Sequence, residues 1–166
     1  DRLEGGWITG HDVIFAQGGA DAIFAGSGND TVFGQSNDDD IYGGTGNDVL
    51  TGGGGNDGFI FDTALDEAGN VDMIRDFNAN NNDRIGLNND IFTSLLVAGP
   101  LNINNFRANS GAVAADANDF VLYDTATGSL YYDPDGSGSG HSRVLFATLD
   151  LNGTNGTVDA SDFLII

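Results

Sequence analysis

Between residues 10 and 61 the chain alternates short apolar runs with glycine-rich polar runs at a fixed interval. The apolar residues Ile14, Ile23, Val32, Ile41, Leu50 and Phe59 recur every nine positions. Each stands two residues after an aspartate: Asp12, Asp21, Asp30, Asp39, Asp48 and Asp57. Two residues before each aspartate lies Gly10, Gly19, Gly28, Asn37, Gly46 or Gly55. A three-residue run such as "VLT" reads as a short strand whose middle side chain points opposite to its neighbours. The six residues before it, "GGTGND", form a loop in which glycines adopt backbone shapes closed to other residues. Two such units make a coil of eighteen residues, and the six copies make three stacked coils. The middle apolar residues then face inward from two stacked sheets, and the aspartates line the two edges.

The period fades after residue 61. "DMIRDF" and "DRIGL" (72–77 and 83–87) place Ile74, Phe77, Ile85 and Leu87 where they would cover the open end of the core. A short helix is predicted at "DIFTSLLVAG" (90–99), stopped by Gly99-Pro100. "DFVLYDTATGSLYYD" (119–133) predicts a β-hairpin, "RVLFATL" (143–149) another strand. The chain ends "DFLII", read as a last strand burying Leu164, Ile165 and Ile166. The fold class is all-β, with repeats over 1–61 and a β-rich cap over 62–166.

Composition sharpens this picture. Of 25 acids 23 are Asp, against five Arg and no Lys, with 26 Gly and 18 Asn. Those residues favour turns and oxygen-ligand loops over helices. A net charge of −20 opposes binding to nucleic acid or anionic membranes. The absence of cysteine removes disulfides and thiolate metal sites. No transmembrane run and no N-terminal signal peptide is seen, and the opening Asp1 marks the chain as a piece of a longer or processed protein.

The repeated acids carry the chemistry. Coils stack ~4.8 Å apart, where two bare carboxylates repel by ~3 kcal/mol at an effective dielectric near 20. Several such pairs would consume most of the stability of a small domain. A divalent cation between successive loops reverses the sign. Carboxylates and glycine-freed carbonyls make a hard all-oxygen shell, which suits Ca²⁺ better than Mg²⁺. The candidate ligands are the six aspartates with the turns of Gly10, Gly19, Gly26, Gly28, Gly44, Gly46, Gly53 and Gly55.

"GGTGNDVLT" (43–51) resembles the G-G-x-G-x-D-x-U-x nonapeptide of RTX calcium-binding proteins, and "AGSGNDTVF" (25–33) departs only at its first position. "GQSNDDDIY" (34–42) carries Gln35 and Asn37 where glycines belong, which predicts a strained loop or a weaker site there. The resemblance implies a parallel β-roll loaded with several Ca²⁺ ions. Residues 72–87 resemble the segment after the roll in serralysin-type proteins, which implies Asp66 and Asp72 as ligands of a last site; that Asp72 and Asp76 simply serve turns is the equal alternative. The terminal "DFLII" resembles the uncleaved export signal of type I secretion substrates. The resemblance thus implies a secreted, extracellular or cell-surface bacterial protein that meets the type I secretion machinery unfolded and folds on calcium outside.

"DPDGSGSGHSRV" (133–144) puts Asp133, Asp135 and Ser137 at EF-hand ligand positions and Gly138 at the loop's turn glycine, but Val144 replaces the bidentate Glu, so a tight turn fits equally. "DLNGTNGTVDASDF" (150–163) is similar to a dockerin-type calcium loop with one residue too many. No HExxH, GxSxG or Walker motif is present, and no enzyme is read in this stretch, although the parent can be one. Phe15/Phe33 and Phe24/Tyr42 would stack as outward aromatic pairs. They carry the alternative reading of an adhesive or glycan-binding module with a glycan or cell-surface partner, or else merely stack on each other or lie beneath the cap; a further alternative, not drawn from them, is the non-catalytic C-terminal part of a secreted hydrolase.

Overall fold

The computed structural model describes residues 2–4, 9–153 and 156–166. After β1 (Arg2–Glu4), the repeats form β2 (Val13–Phe15), β3 (Ala22–Phe24), β4 (Thr31–Ser36), β5 (Asp40–Tyr42), β6 (Val49–Gly54) and β7 (Gly58–Phe61). β8 (Asp72–Ile74) and β9 (Arg84–Leu87) continue the stack. Odd-numbered strands stack in one parallel sheet and even-numbered strands in the other. Val13 lies beside Thr31 and Thr31 beside Val49, while Ala22 lies beside Asp40 and Asp40 beside Gly58. Each coil therefore takes 18 residues, as the spacing predicts. The step lengthens to 24 residues from Asp48 to Asp72 and to 26 from Asp57 to Asp83.

The interior is the column of middle residues. Ile23, Val32, Ile41 and Phe59 are fully buried and Leu50 nearly so. Each contributes roughly 1.5–3 kcal/mol of burial. Ile74, Phe77, Ile85 and Leu87 close the column with no exposure, as expected of its cover.

The remaining strands extend the same two sheets. β10 (Gly99–Pro100), β11 (Phe106–Asn109), β12 (Val121–Asp124), β13 (Ser129–Tyr132), β14 (Val144–Leu149) and β15 (Phe163–Ile165) follow in order. β12 and β13 make the predicted antiparallel hairpin, with β14 antiparallel to β13. β14 then pairs parallel with β8, and β15 parallel with β9. Phe61, Phe92, Tyr132 and Phe146 pack edge to face between these strands and the last coil.

Two expectations are corrected. The stretch 90–99 forms turns, not a helix; among the described residues the helical pieces are 3-10 turns at Ala79–Asn81, Ile103–Asn105 and Ala160–Asp162. Phe92 and Leu95 anchor inward while Leu96 and Val97 face solvent. A segment this short cannot offset helix nucleation when tertiary contacts already pin it. Of the tail's apolar residues Phe163 and Ile165 are buried, while Leu164 and Ile166, expected to bury, are 38% and 39% exposed. Strand alternation sends successive side chains to opposite faces.

Candidate metal centre

The strand stacking carries the aspartates into two columns, one on each edge. Asp12, Asp30, Asp48 and Asp72 form one; Asp21, Asp39, Asp57 and Asp83 form the other. Each aspartate but the last of its column donates its main-chain N–H to Oδ1 of the aspartate one coil further on. The bonds measure 2.8, 2.7 and 3.0 Å along the first column. They measure 2.9, 3.0 and 3.0 Å along the second. Oδ1 of Asp30, Asp48, Asp72, Asp39, Asp57 and Asp83 is thus fixed by backbone, which aims Oδ2. Oδ2 of Asp12, Asp30, Asp39 and Asp48 is buried and meets no hydrogen-bond donor. An orphaned, buried carboxylate oxygen is costly unless a cation partners it.

The glycines make room for this approach. A Cβ on Gly28 (φ +125°) or Gly46 (φ +127°) would sit 1.8 or 1.9 Å from the carbonyl oxygen of Gly10 or Gly28 in the preceding coil. Gly44 stacks likewise over the Gly26 carbonyl, and Gly53 and Gly55 over those of Gln35 and Asn37. Gly10 and Gly19 begin the two stacks, with no such carbonyl beside them. Gln35 and Asn37 hold φ of 80° and 76°, so the predicted strain of the 34–42 unit lies at these two residues. Above the α-carbon of Gly43, Oδ2 of Asp48 and Oδ2 of Asp72 converge, 2.5 and 3.1 Å from where a Cβ would stand.

Burial, reinforced by the neighbouring charge, sets the electrostatics. Burial pushes the Asp48 and Asp57 carboxyls up to about 6 against the N–H bonds that favour their ionised forms. Burial and then the charge of Asp48 push Asp72 up to about 8. Burial also raises Asp30, Asp39 and Asp83. Among the described residues no three Asp, Glu, His or Cys side chains converge, so carbonyl oxygens have to complete any shell. Paired carboxylates with main-chain carbonyls and no imidazole or thiolate fit Ca²⁺.

Sequence reasoning missed two acids. Asp83 ends the second column. Asp76 accepts the N–H groups of Gly52 and Gly53 at 3.0 and 2.8 Å. Asp83 keeps a local signal, an aspartate two residues before an inward apolar residue (Ile85), which survives the loss of the nine-residue period. Asp66 lies outside the columns, where its Oδ1 accepts the N–H of Ala68. Asp133 and Asp135 sit in the turn between β13 and β14, where Asp135 Oδ2 accepts the N–H groups of Gly140 and His141. Residues 154 and 155 of the 150–163 loop lie outside the described residues. The aromatic pairs form as expected. Phe15 and Phe33 stack at 4.9 Å and 6°, Phe24 and Tyr42 at 4.4 Å and 19°.

Parallel coils edged by carboxylate columns define a calcium-binding β-roll. The RTX calcium-binding nonapeptide repeat, in four copies, matches residues 9–32 and 33–63, and this part of the chain belongs to that repeat family. Its repeats bind Ca²⁺, and the stacked turns imply several ions. The fold is similar to the solution structure of the AlgE6R3 subunit from the Azotobacter vinelandii mannuronan C5-epimerase. That likeness has a TM-score of 0.58 at 24% identity, covering 94% of this chain and 78% of the other. No curated protein matches the chain. No helix among the described residues is long and apolar enough to cross a membrane.

Proposed function

We propose that the module is a calcium-triggered folding unit of an exported protein, with its export signal in the C-terminal strand. The observation that carries the reading is the pair of buried carboxylate columns in a chain with five Arg and no Lys. The chain's own cations are too few to neutralise them, so an added cation has to. Where calcium is scarce the columns repel and the chain stays unfolded, the form a type I exporter threads. Where calcium is abundant, binding free energy becomes folding free energy. The ligands we assign are Asp12, Asp30, Asp48 and Asp72 on one edge and Asp21, Asp39 and Asp57 on the other, with carbonyls of the glycine turns. The terminal residues 162–166 join the roll only on folding: Ile166 donates its N–H to Leu87 and accepts that of Asn89, both at 3.0 Å.

Circular dichroism in EDTA and then in millimolar calcium tests this reading. The expected change is from disorder to strand on adding calcium, with little response to magnesium. A chain equally folded in EDTA would falsify the scheme.

A second reading has one observation in its favour. Val13 and Phe15 are 63% and 55% exposed on the outer face of the roll, an apolar surface open to a glycan or cell-surface partner. The epimerase origin of the similar fold is in keeping with attachment to a polysaccharide-acting enzyme. Ring stacking already occupies one face of Phe15, which makes this the weaker reading.

A further inference from the structure

Successive turns on the first edge are tied by a repeated backbone exchange. Thr45 donates its N–H to the Gly26 carbonyl at 3.0 Å, and its own carbonyl accepts the N–H of Gly28 at 2.9 Å. One layer further on, the loop 62–71 follows no nonapeptide pattern, and side chains make the exchange instead. The Thr63 hydroxyl donates to the Gly44 carbonyl at 2.8 Å. Oδ1 of Asn70 accepts the N–H of Gly46, also at 2.8 Å. Gly44 and Gly46 stand one coil beyond Gly26 and Gly28, so Thr63 replaces the missing donor and Asn70 the missing acceptor.

These two side chains hold each other. Nδ2 of Asn70 donates to Thr63 Oγ1 at 3.0 Å and to the Ala64 carbonyl at 2.8 Å. Asp66 shapes the loop behind them: its Oδ1 accepts the N–H of Ala68 at 3.0 Å. Its main-chain carbonyl accepts those of Gly69 and Asn70 at 3.1 and 2.7 Å. The amide oxygen and both donor contacts of Asn70 are engaged within the protein, and a cation would have to displace those bonds to use it.

We propose that Thr63 and Asn70 are a side-chain end-cap that terminates the first edge of the roll by imitating a turn peptide. Asp66 positions that cap, and none of the three ligates an ion. The proposal rests on the calcium reading above and separates structural from ligating residues at the end of the stack. It also explains why the repeat stops where it does: a further coil would find Gly44 and Gly46 already satisfied.

Equilibrium dialysis of the calcium-saturated protein counts ions per chain, and hydrogen exchange reads the Gly46 amide. Thr63→Val, Asn70→Ala and Asp66→Ala are expected to keep the wild-type ion count. Asn70→Ala is expected to speed exchange at Gly46 by roughly tenfold, since it loses one hydrogen bond. Thr63→Ser, which retains the hydroxyl, is expected to behave as wild type. Loss of one ion in any of the three variants, or unchanged Gly46 exchange in Asn70→Ala, overturns the cap. If Asn70→Ala does not fold, Thr63→Val and Asp66→Ala still supply the count. A wild-type chain that binds no calcium defeats the functional reading alone, and the Gly46 exchange still decides the cap.

Discussion

Asp72 concentrates the chemistry of the columns in one residue. It is nearly buried, it accepts the N–H of Asp48 through Oδ1, and its Oδ2 faces that of Asp48 across the space above Gly43. Burial first and the Asp48 charge second raise its carboxyl to about 8, while Asp48 and Asp57 rise to about 6. In an unfolded chain the same groups titrate near 3.9. The sign follows from linkage. The folded, metal-free state holds protons that the unfolded state has released, so its stability is fully present below about pH 4. That stability is then lost as pH rises through 6 and 8. Calcium needs the ionised carboxylates, and the unfolded chain already carries them above about pH 5, so folding on calcium releases few protons there. The calcium midpoint for folding should therefore stay nearly level from pH 5 to pH 8, while the folded, metal-free form gains ground only as pH falls toward 4. Calcium titrations followed by circular dichroism at several pH values measure this, and a midpoint that falls steeply from pH 5 to pH 8 would show that the calcium-free chain is already folded with protonated carboxyls.

At the scale of the element, a turn serves two layers at once. Asp48 accepts the N–H of Asp30 from one neighbouring coil and donates its own to Asp72 in the other. Asp135 is held by N–H groups of its own turn. Asp48→Ala is thus expected to raise the calcium midpoint by about tenfold or more, the scale of a lost charge-assisted hydrogen bond, and Asp135→Ala by much less. Equal effects would place the folding switch in the β13–β14 turn instead. The contrast between these elements also explains what sequence could reveal. The coils were legible because every unit repeats the same local solution, so Asp, glycine and inward apolar residue keep a fixed spacing. Asp83 and the Thr63–Asn70 pair were not, because longer steps break the period and side chains do work that backbone does elsewhere. The 90–99 stretch misled because Phe92 and Leu95 have helix-like spacing, yet long-range contacts to Tyr132 and Phe146 decide its shape.

At the scale of the whole molecule, the cap and the roll share their sheets. β15 lies between β9 and β10, so the last residues of the chain complete the sheet that the repeats begin. No local pattern announces such a pairing: Phe163 lies beside Ile85, far away in sequence. Its alternation separates two roles within one short strand. Phe163 and Ile165 point into the core, each contributing roughly 1.5–3 kcal/mol. Leu164 and Ile166 point outward, where they contribute less to packing; the export signal we propose is the same apolar run read in the unfolded chain. Deleting residues 162–166 should therefore reduce both export through a type I system and the stability of the calcium-folded protein. Replacing Leu164 and Ile166 together by Ser should reduce export while changing stability by much less than the deletion. Export unaffected by either change would leave Asp162 to Ile166 as the closing strand of the fold and nothing more. Export lost only in the deletion would assign the signal to the buried residues, and export lost in both assigns it to the apolar run as a whole.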